Sequence, residues 1–215
     1  MELNKYIDHT NLNRAATKED IEKLCNEANL YNFASVCIHP CYVEYAKELL
    51  IDSDVKVCTV IGFPLGMNTT EVKVYETKDA LERGADEIDM VINVSYLKNK
   101  DYKYVENEIQ RIRDVVKDKI LKVIIEECCL TKEEIVDITN ICNKCKVDYI
   151  KTSTGFDKGG ATIESVKIIN DNKSEEIGIK ASGGIRDYEA ALKFINSGAT
   201  RIGTSSGIKI MEGEK

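Results

Sequence analysis

The feature that most constrains the fold of this chain is an alternation. Short β-branched runs recur at Tyr6–Thr10, Phe33–His39, Val55–Gly62, Glu87–Asn93, Leu121–Glu126, Asp148–Ser153, Gly178–Ser182 and Thr200–Ser205, with amphipathic stretches of helical period between them. Several runs are nearly continuous in apolar residues, the pattern of parallel strands covered on both faces. Helix signals fill the gaps. Thr17-Lys18-Glu19-Asp20 and Thr131-Lys132-Glu133-Glu134 read as N-terminal caps, the second as a full capping box, and Gly84 and Gly198 read as C-terminal stops. Ile21, Leu24, Cys25, Ala28 and Tyr31 give one helical face; Val105, Ile109, Ile112 and Val116 give another. Eight strands alternating with about seven or eight helices predict an α/β TIM (β/α)8 barrel. A doubly wound open sheet also alternates, but favours a glycine-rich turn after its first strand. Here Thr10-Asn11-Leu12-Asn13-Arg14 follows, without a glycine. No linker or composition break interrupts the rhythm, so the expectation is one barrel domain over residues 1–215.

Composition narrows the function. With 43% hydrophobic and 31% charged residues the chain is globular rather than disordered. A formal charge of −7 speaks against nucleic acid or an anionic membrane as partner, though not against a small anion that feels only local charge. No apolar run reaches the roughly 18 residues of a membrane span, and Met1–Lys5 does not open a signal peptide, which points to the cytoplasm. The eight cysteines then read as reduced thiols. Cys128 and Cys129 are neighbours that would pair only under strain. Cys142 and Cys145 form a C-x-x-C without the second half of a zinc site, so no metal is expected.

Strand parity exposes charges where a core would avoid them. In Glu87–Asn93 the apolar Ile88, Met90 and Ile92 share the face towards the helices, so Asp89 points inward. The same parity turns Lys151 and Lys180 inward, and Glu126 is a fourth candidate. Desolvating an unpaired charge costs several kcal/mol, and all four fall near C-terminal strand ends, where this architecture keeps its catalytic groups. One reading is a buried ion-pair network in which Asp89 and Glu126 neutralise the two lysines, with Glu126 positioning a lysine. The other is chemical. A free lysine is neutral only about 0.04% of the time at pH 7. A second ammonium about 5 Å away, at an effective dielectric near 20, opposes its charge by about 3 kcal/mol, or about 2.4 pK units. An amine activated in this way suits Schiff-base formation with a carbonyl, a nearby carboxylate shuttling protons, as in an aldolase-type lyase.

Glycine-bearing segments follow the last three strands: Thr152-Ser153-Thr154-Gly155, Ser182-Gly183-Gly184-Ile185-Arg186 and Gly203-Thr204-Ser205-Ser206-Gly207. Barrels of this class bind phosphate between the last two βα-loops, where glycines let backbone N–H groups approach an anion. Arg186 adds local positive charge. His9 and His39, at strand ends, read as hydrogen-bonded structural residues. Asp8 could face either way, and Cys37 faces the interior with Ser35 and lines the substrate cavity. Gly62-Phe63-Pro64-Leu65-Gly66 reads as a shaped loop at the mouth.

With these residues in view, the chain resembles the deoxyribose-phosphate aldolases, a class I (Schiff-base) family. The match runs through Ile7-Asp8-His9-Thr10, Ser35–Pro40, Val60–Gly66 with Asn68–Glu71, Gly84–Asn93, Lys122–Glu126, Tyr149–Gly155, Lys180–Arg186 and Arg201–Ser206, in the family's order over nearly the whole chain. The resemblance implies reversible cleavage of 2-deoxy-D-ribose 5-phosphate to D-glyceraldehyde 3-phosphate and acetaldehyde. It gives Lys151 the Schiff base, Lys180 the role of perturbing it and joining the proton relay, and Asp89 proton transfer through water. It assigns the phosphate to Gly155, Gly183, Gly184, Gly203, Ser205 and Ser206; Cys37, Asp8 and Thr10 are counted with the substrate contacts. It further implies no cofactor, a homodimer, and a role in cytoplasmic deoxynucleoside catabolism. Two departures stand out. Phe156 occupies a position where some members have a lysine, and Met211–Lys215 ends the chain before the longer tail that some members place near the substrate. Two other readings remain: a phosphosugar isomerase with Asp89 as general base and anion-binding lysines, and a catalytically silent phosphosugar-binding protein.

Overall fold

The β-branched runs form eight parallel strands in the computed structural model, which describes residues 2–213. They are β1 Ile7–Asn11, β2 Ser35–Ile38, β3 Lys56–Ile61, β4 Glu87–Val91, β5 Ile120–Ile124, β6 Tyr149–Lys151, β7 Gly178–Ser182 and β8 Arg201–Thr204. Each pairs with the next and β8 returns to β1, closing the expected TIM barrel rather than leaving an open sheet. Strand ends are trimmed where the chain turns towards the upper face. Asn93 leaves β4 to cap the following helix through Tyr96 N–H, and Glu126 leaves β5 with φ +50°. Met1 and the last residues of Met211–Lys215 lie outside the described residues.

The helices are α1 Lys18–Tyr31, α2 Val43–Leu49, α3 Thr70–Glu82, α4 Val94–Lys98, α5 Tyr102–Val116, α6 Lys132–Lys144, α7 Ile163–Asn172, α8 Tyr188–Asn196 and α9 Gly207–Glu212. Thr131 with Glu134 forms the expected capping box on α6, and Thr17 with Asp20 forms a second on α1. The core lies between barrel and helices. Ile88, Met90, Val123, Ile150, Ile179 and Ile202 point outward from the strands onto Ile21 and Ala28 of α1, Ile109 and Ile112 of α5 and their counterparts, all fully buried. Inside the barrel the apolar content is small: Leu12, Cys37, Cys58 and Val60, with Phe63 against them. By the same alternation Val91 and Ile124 also face inward, and the polar and charged side chains beside them hold the site.

A buried ion pair braces the upper rim. Lys73 of α3 donates to Glu108 of α5 at 2.7 Å and to the Val91 carbonyl at 2.8 Å, while Glu108 accepts from Asn93 N–H at 3.0 Å. The Gly62–Gly66 loop is pressed onto the same brace. Gly62 N–H donates to Glu76 at 2.8 Å, and Gly66, at φ +69°, lies where a Cβ would stand 2.0 Å from the Ile92 carbonyl oxygen. Among the described residues no helix is long and apolar enough to cross a membrane.

Gly184 also has a positive φ, of +82°, but open space around its missing Cβ. Gly184→Ala should therefore cost only the left-handed backbone term, about 1–2 kcal/mol. Gly66→Ala adds a clash and should cost clearly more. Urea unfolding of the two variants checks this; equal losses would refute the close-approach argument.

Candidate active site

Strand alternation that sends Ile88 and Met90 outward sends Glu87 and Asp89 inward, and the same parity brings in Asp8, Lys122, Lys151, Lys180 and Arg201. Asp89 is at the centre. Its Oδ2 accepts from Lys151 at 2.9 Å and Lys180 at 2.7 Å; its Oδ1 accepts from Lys122 at 2.9 Å and from the Cys58 thiol at 3.1 Å. Burial would raise the Asp89 carboxyl, but Lys122, Lys151 and Lys180 together hold it well below the usual carboxylate range.

Beneath it lies a second tier of charge. Lys180 also reaches Asp8 at 2.6 Å, Arg201 pairs with Asp8 at 2.6 Å and with Glu87 at 3.4 Å, and Glu87 accepts from Lys122. Burial would lower Lys180, but Asp8 and Asp89 override it and push the ammonium well above its ordinary value. Burial likewise opposes the charge on Lys122, and Asp89 leads the groups that raise it. Asp8 is held below its usual range, chiefly by Arg201 and Lys180 acting against burial.

Two inward lysines repelling each other are therefore an incomplete picture, because Asp89 sits between them and binds both. Asp8 is part of this foundation rather than a wall of the substrate cavity. Glu126 is likewise corrected: among the described residues it forms no ion pair with a lysine. Its carboxyl, raised by burial, instead accepts from Thr154 N–H at 3.1 Å and from the Thr154 hydroxyl, anchoring the loop after β6. Cys37 does not reach the cavity either. It packs on Cys58 and Val60. Lys122, Glu87 and Arg201 were missed from sequence. The signal was present in each case: Lys122 between Leu121 and Val123, Glu87 two residues before Asp89, and Arg201 two before Gly203.

A cavity of about 880 Å³ opens above the network. Of the charged groups just described, only Lys151 lines it. The same cavity is walled by Gly155, Gly183, Gly184, Gly203, Ser205 and Ser206, with Thr10 and Arg186, so the predicted glycine and serine positions meet at one mouth. Gly183 and Gly184 take φ +93° and +82°, a left-handed backbone that glycine adopts readily. The Ser182 hydroxyl lines the cavity and has no hydrogen-bond partner. The Thr204 hydroxyl stitches the last loop, donating to the Ile185 carbonyl at 2.7 Å and accepting from Ser206 N–H at 2.9 Å.

The remaining candidates are tied into the fold by hydrogen bonds or packing, although His9 and Thr10 also line the cavity. His9 is hydrogen-bonded through Nε2 to Glu27 at 2.8 Å, with burial lowering its basicity, and His39 donates to the Leu12 carbonyl at 2.9 Å. Thr10 donates to the Asp8 carbonyl at 2.8 Å. Phe156 is exposed and turns its ring onto Phe63, edge-to-face at 5.1 Å, away from the cavity wall. All eight cysteines are free.

The chain matches the model of the DeoC/LacD family aldolases over residues 3–213. It is 56% identical over 213 residues to a deoxyribose-phosphate aldolase of Finegoldia magna, covering 99% of this chain and all of that one. It is also 56% identical to a deoxyribose-phosphate aldolase of Clostridium perfringens, covering 99% and 96% of the two chains. Among solved structures, the tetrameric deoxyribose phosphate aldolase of Aeropyrum pernix superposes with a TM-score of 0.91 at 34% identity, over 98% of this chain and 89% of that one.

The foundation has a pH signature. Asp8 and Asp89 titrate below their unfolded value of about 3.8, so they stabilise the fold above about pH 4 and lose that contribution as the pH falls further. Asp8→Asn should cost about 3–5 kcal/mol near neutrality, by leaving Arg201 and Lys180 short of a partner. It should also flatten the decline of unfolding free energy between about pH 4 and 2. Urea titrations across that range check both statements; an unchanged acid slope would overturn the assignment.

Proposed function

The chain belongs to the DeoC/LacD family of aldolases, and from that premise we propose that it reversibly cleaves 2-deoxy-D-ribose 5-phosphate to D-glyceraldehyde 3-phosphate and acetaldehyde, with Lys151 forming the Schiff base. The observation that carries this reading is the placement of Lys151. It is the one member of the buried charge network that meets the cavity, and that cavity ends in a glycine- and serine-lined cradle suited to phosphate.

The chemistry follows from that placement. The neutral Lys151 amine attacks the aldehyde carbon of the open-chain sugar phosphate, and loss of water leaves an iminium. The hydroxyl on the third carbon gives up its proton and becomes the aldehyde of glyceraldehyde 3-phosphate. The bond between the second and third carbons breaks, and its electrons pass to the iminium as an enamine. Protonation of the enamine carbon and hydrolysis release acetaldehyde and return the amine. Asp89, so strongly stabilised as carboxylate, is a poor base on its own. It acts by holding the Lys151 nitrogen, offsetting the iminium charge and passing protons through water. Lys180, fixed by Asp8, keeps Asp89 in place. No cofactor or metal enters the scheme. The barrel acts as one domain, in a homodimer rather than the tetramer of the A. pernix relative, and serves deoxynucleoside catabolism in the cytoplasm.

Borohydride reduction in the presence of acetaldehyde should attach a two-carbon group to Lys151, located by peptide mass spectrometry, and Lys151→Arg should abolish both adduct and turnover. An adduct on another lysine, or turnover without Lys151, would sink the reading, and no adduct together with no release of acetaldehyde would favour an isomerase or a silent binding protein. The cradle is tested separately. Arg186→Met should raise KM for the phosphosugar several-fold at unchanged kcat and weaken its salt dependence, since about 1 kcal/mol is typical of a partly solvated ion pair. An unchanged KM would remove Arg186 from the cradle.

A further inference from the structure

Two loops on the upper face carry groups that the proposed chemistry does not use. The turn after β5 presents Cys128, exposed, and Cys129, half-buried, side by side. The loop after β6 lays Asp157 against them. The Cys129 thiol donates to Asp157 Oδ2 at 3.4 Å, and the two sulfurs and a carboxylate oxygen all lie within 4.8 Å of one another. Asp157 Oδ1 takes the Lys158 N–H, which leaves Oδ2 facing the sulfurs.

This meeting of distant residues is held in place by the surrounding backbone. Glu126 anchors the start of the β6 loop at Thr154, and Glu127 anchors its end, accepting from Thr162 N–H at 2.7 Å. Between those anchors Gly159 lies so close that an added Cβ would stand 2.7 Å from Cys128 Cβ. Gly160 is pressed onto Gly183 in the same way, with 2.3 Å from an added Cβ to its carbonyl oxygen. The three donors are thus gathered before any ligand arrives.

We propose that Cys128, Cys129 and Asp157 form a binding site for a soft divalent cation of the zinc and cadmium type, with a fourth position open to water. Zinc–sulfur bonds of about 2.3 Å and zinc–oxygen bonds of about 2.1 Å set tetrahedral edges of about 3.8 Å between sulfurs and about 3.6 Å between sulfur and oxygen. The donor atoms lie within 4.8 Å of one another, which exceeds those edges by at most about 1 Å. Thiolates select zinc-like ions over calcium and magnesium, which ask for oxygen alone. The other thiol-bearing cluster, Cys37, Cys58 and Asp89, has similar spacing but the opposite electrostatics. Its carboxylate is already taken by three ammonium groups, which repel a cation. Around the outer cluster the facing charges are Glu126 and Asp157, with Lys158 opposing them.

Without metal, the Cys129 thiol donates its proton to the contact with Asp157. Each thiol that takes the cation gives its proton to solvent as the metal–sulfur bond forms, so binding tightens as pH rises. The bound cation ties the β5 turn to the β6 loop beside Gly155.

The test uses the reduced full chain with cadmium as probe, read by its thiolate-to-metal ultraviolet band. The expected result is one equivalent per chain, displaced by zinc, with protons released and the thermal midpoint raised. Cys128→Ser and Cys129→Ser should each remove the one-equivalent step. Asp157→Asn should weaken it about tenfold or more, and Cys58→Ser should leave it intact, with far-ultraviolet dichroism confirming that every variant is folded. A band that survives Cys128→Ser and Cys129→Ser, disappears in Cys58→Ser, or never reaches one equivalent would overturn the proposal. The readout is binding rather than turnover, so this site and the aldolase reading can fail independently.

Discussion

One carboxylate organises the barrel. Asp89 accepts hydrogen bonds from Lys122, Lys151 and Lys180, and those lysines come from β5, β6 and β7 in turn. The strand register makes this contact necessary. Lys151 is paired with Lys180 across β6–β7, and Lys180 with Arg201 across β7–β8, so three cations stand in a row on neighbouring strands. Like charges side by side destabilise a sheet. They are tolerated because Asp8 on β1 and Glu87 and Asp89 on β4 supply carboxylates to the same interior. An open sheet would not bring β4 across to β7. Closure of the barrel and neutralisation of its interior are therefore a single requirement, and an incomplete network would leave a buried charge unpaired at a cost of about 3–5 kcal/mol.

That dependence explains which parts of the site could be read from the sequence. Parity along one strand is local, so Ile88 and Met90 pointing out place Asp89 inside, and the same logic finds Lys151 and Lys180. Lys122 and Arg201 obey the same parity but lie at the middle of β5 and the start of β8, away from the C-terminal ends where this architecture keeps its catalytic groups. Which charges touch is another matter, because it depends on distances across a closed interior that no spacing encodes. Asp89 lying between the two lysines, Asp8 anchoring Lys180, and Cys37 stacking on Cys58 rather than on the cavity all follow from closure. Glu126 was misread for a different reason. Its αL backbone takes it out of strand alternation, so parity no longer governs where its carboxyl goes.

The loops divide their work in a similar way. The glycine and serine segments after β6, β7 and β8 were legible because turn chemistry is written into residue type. What holds those loops at their positions is contributed from outside them. Glu126 and Glu127 pin the β6 loop, Thr204 reaches back to Ile185, and Lys73 with Glu108 braces the rim that carries Gly66. A rigid cradle of this kind needs less ordering when an anion binds, which favours affinity without additional contacts.

The formal charges of the network give the catalytic proposal a further physical basis. Lys122, Lys151, Lys180 and Arg201 face Asp8, Glu87 and Asp89, so with every group ionised the interior carries one more positive than negative charge. An iminium on Lys151 keeps that excess, since it replaces one cation by another at the same nitrogen and inherits the contact with Asp89. At the step that breaks the carbon–carbon bond the electrons flow into the iminium and leave a neutral enamine, and the site loses its excess charge as the proton of the third-carbon hydroxyl passes through water to solvent. The buried surroundings thereby return to the three-against-three balance in which Lys151 attacked as a neutral amine. An interior of low dielectric rewards that change more than water would, and it does so with dipoles and charges already fixed by the fold. The same strand register that makes the barrel need its carboxylates thus opposes the extra cation on Lys151, and so favours both the neutral amine that attacks and the enamine that cleavage forms.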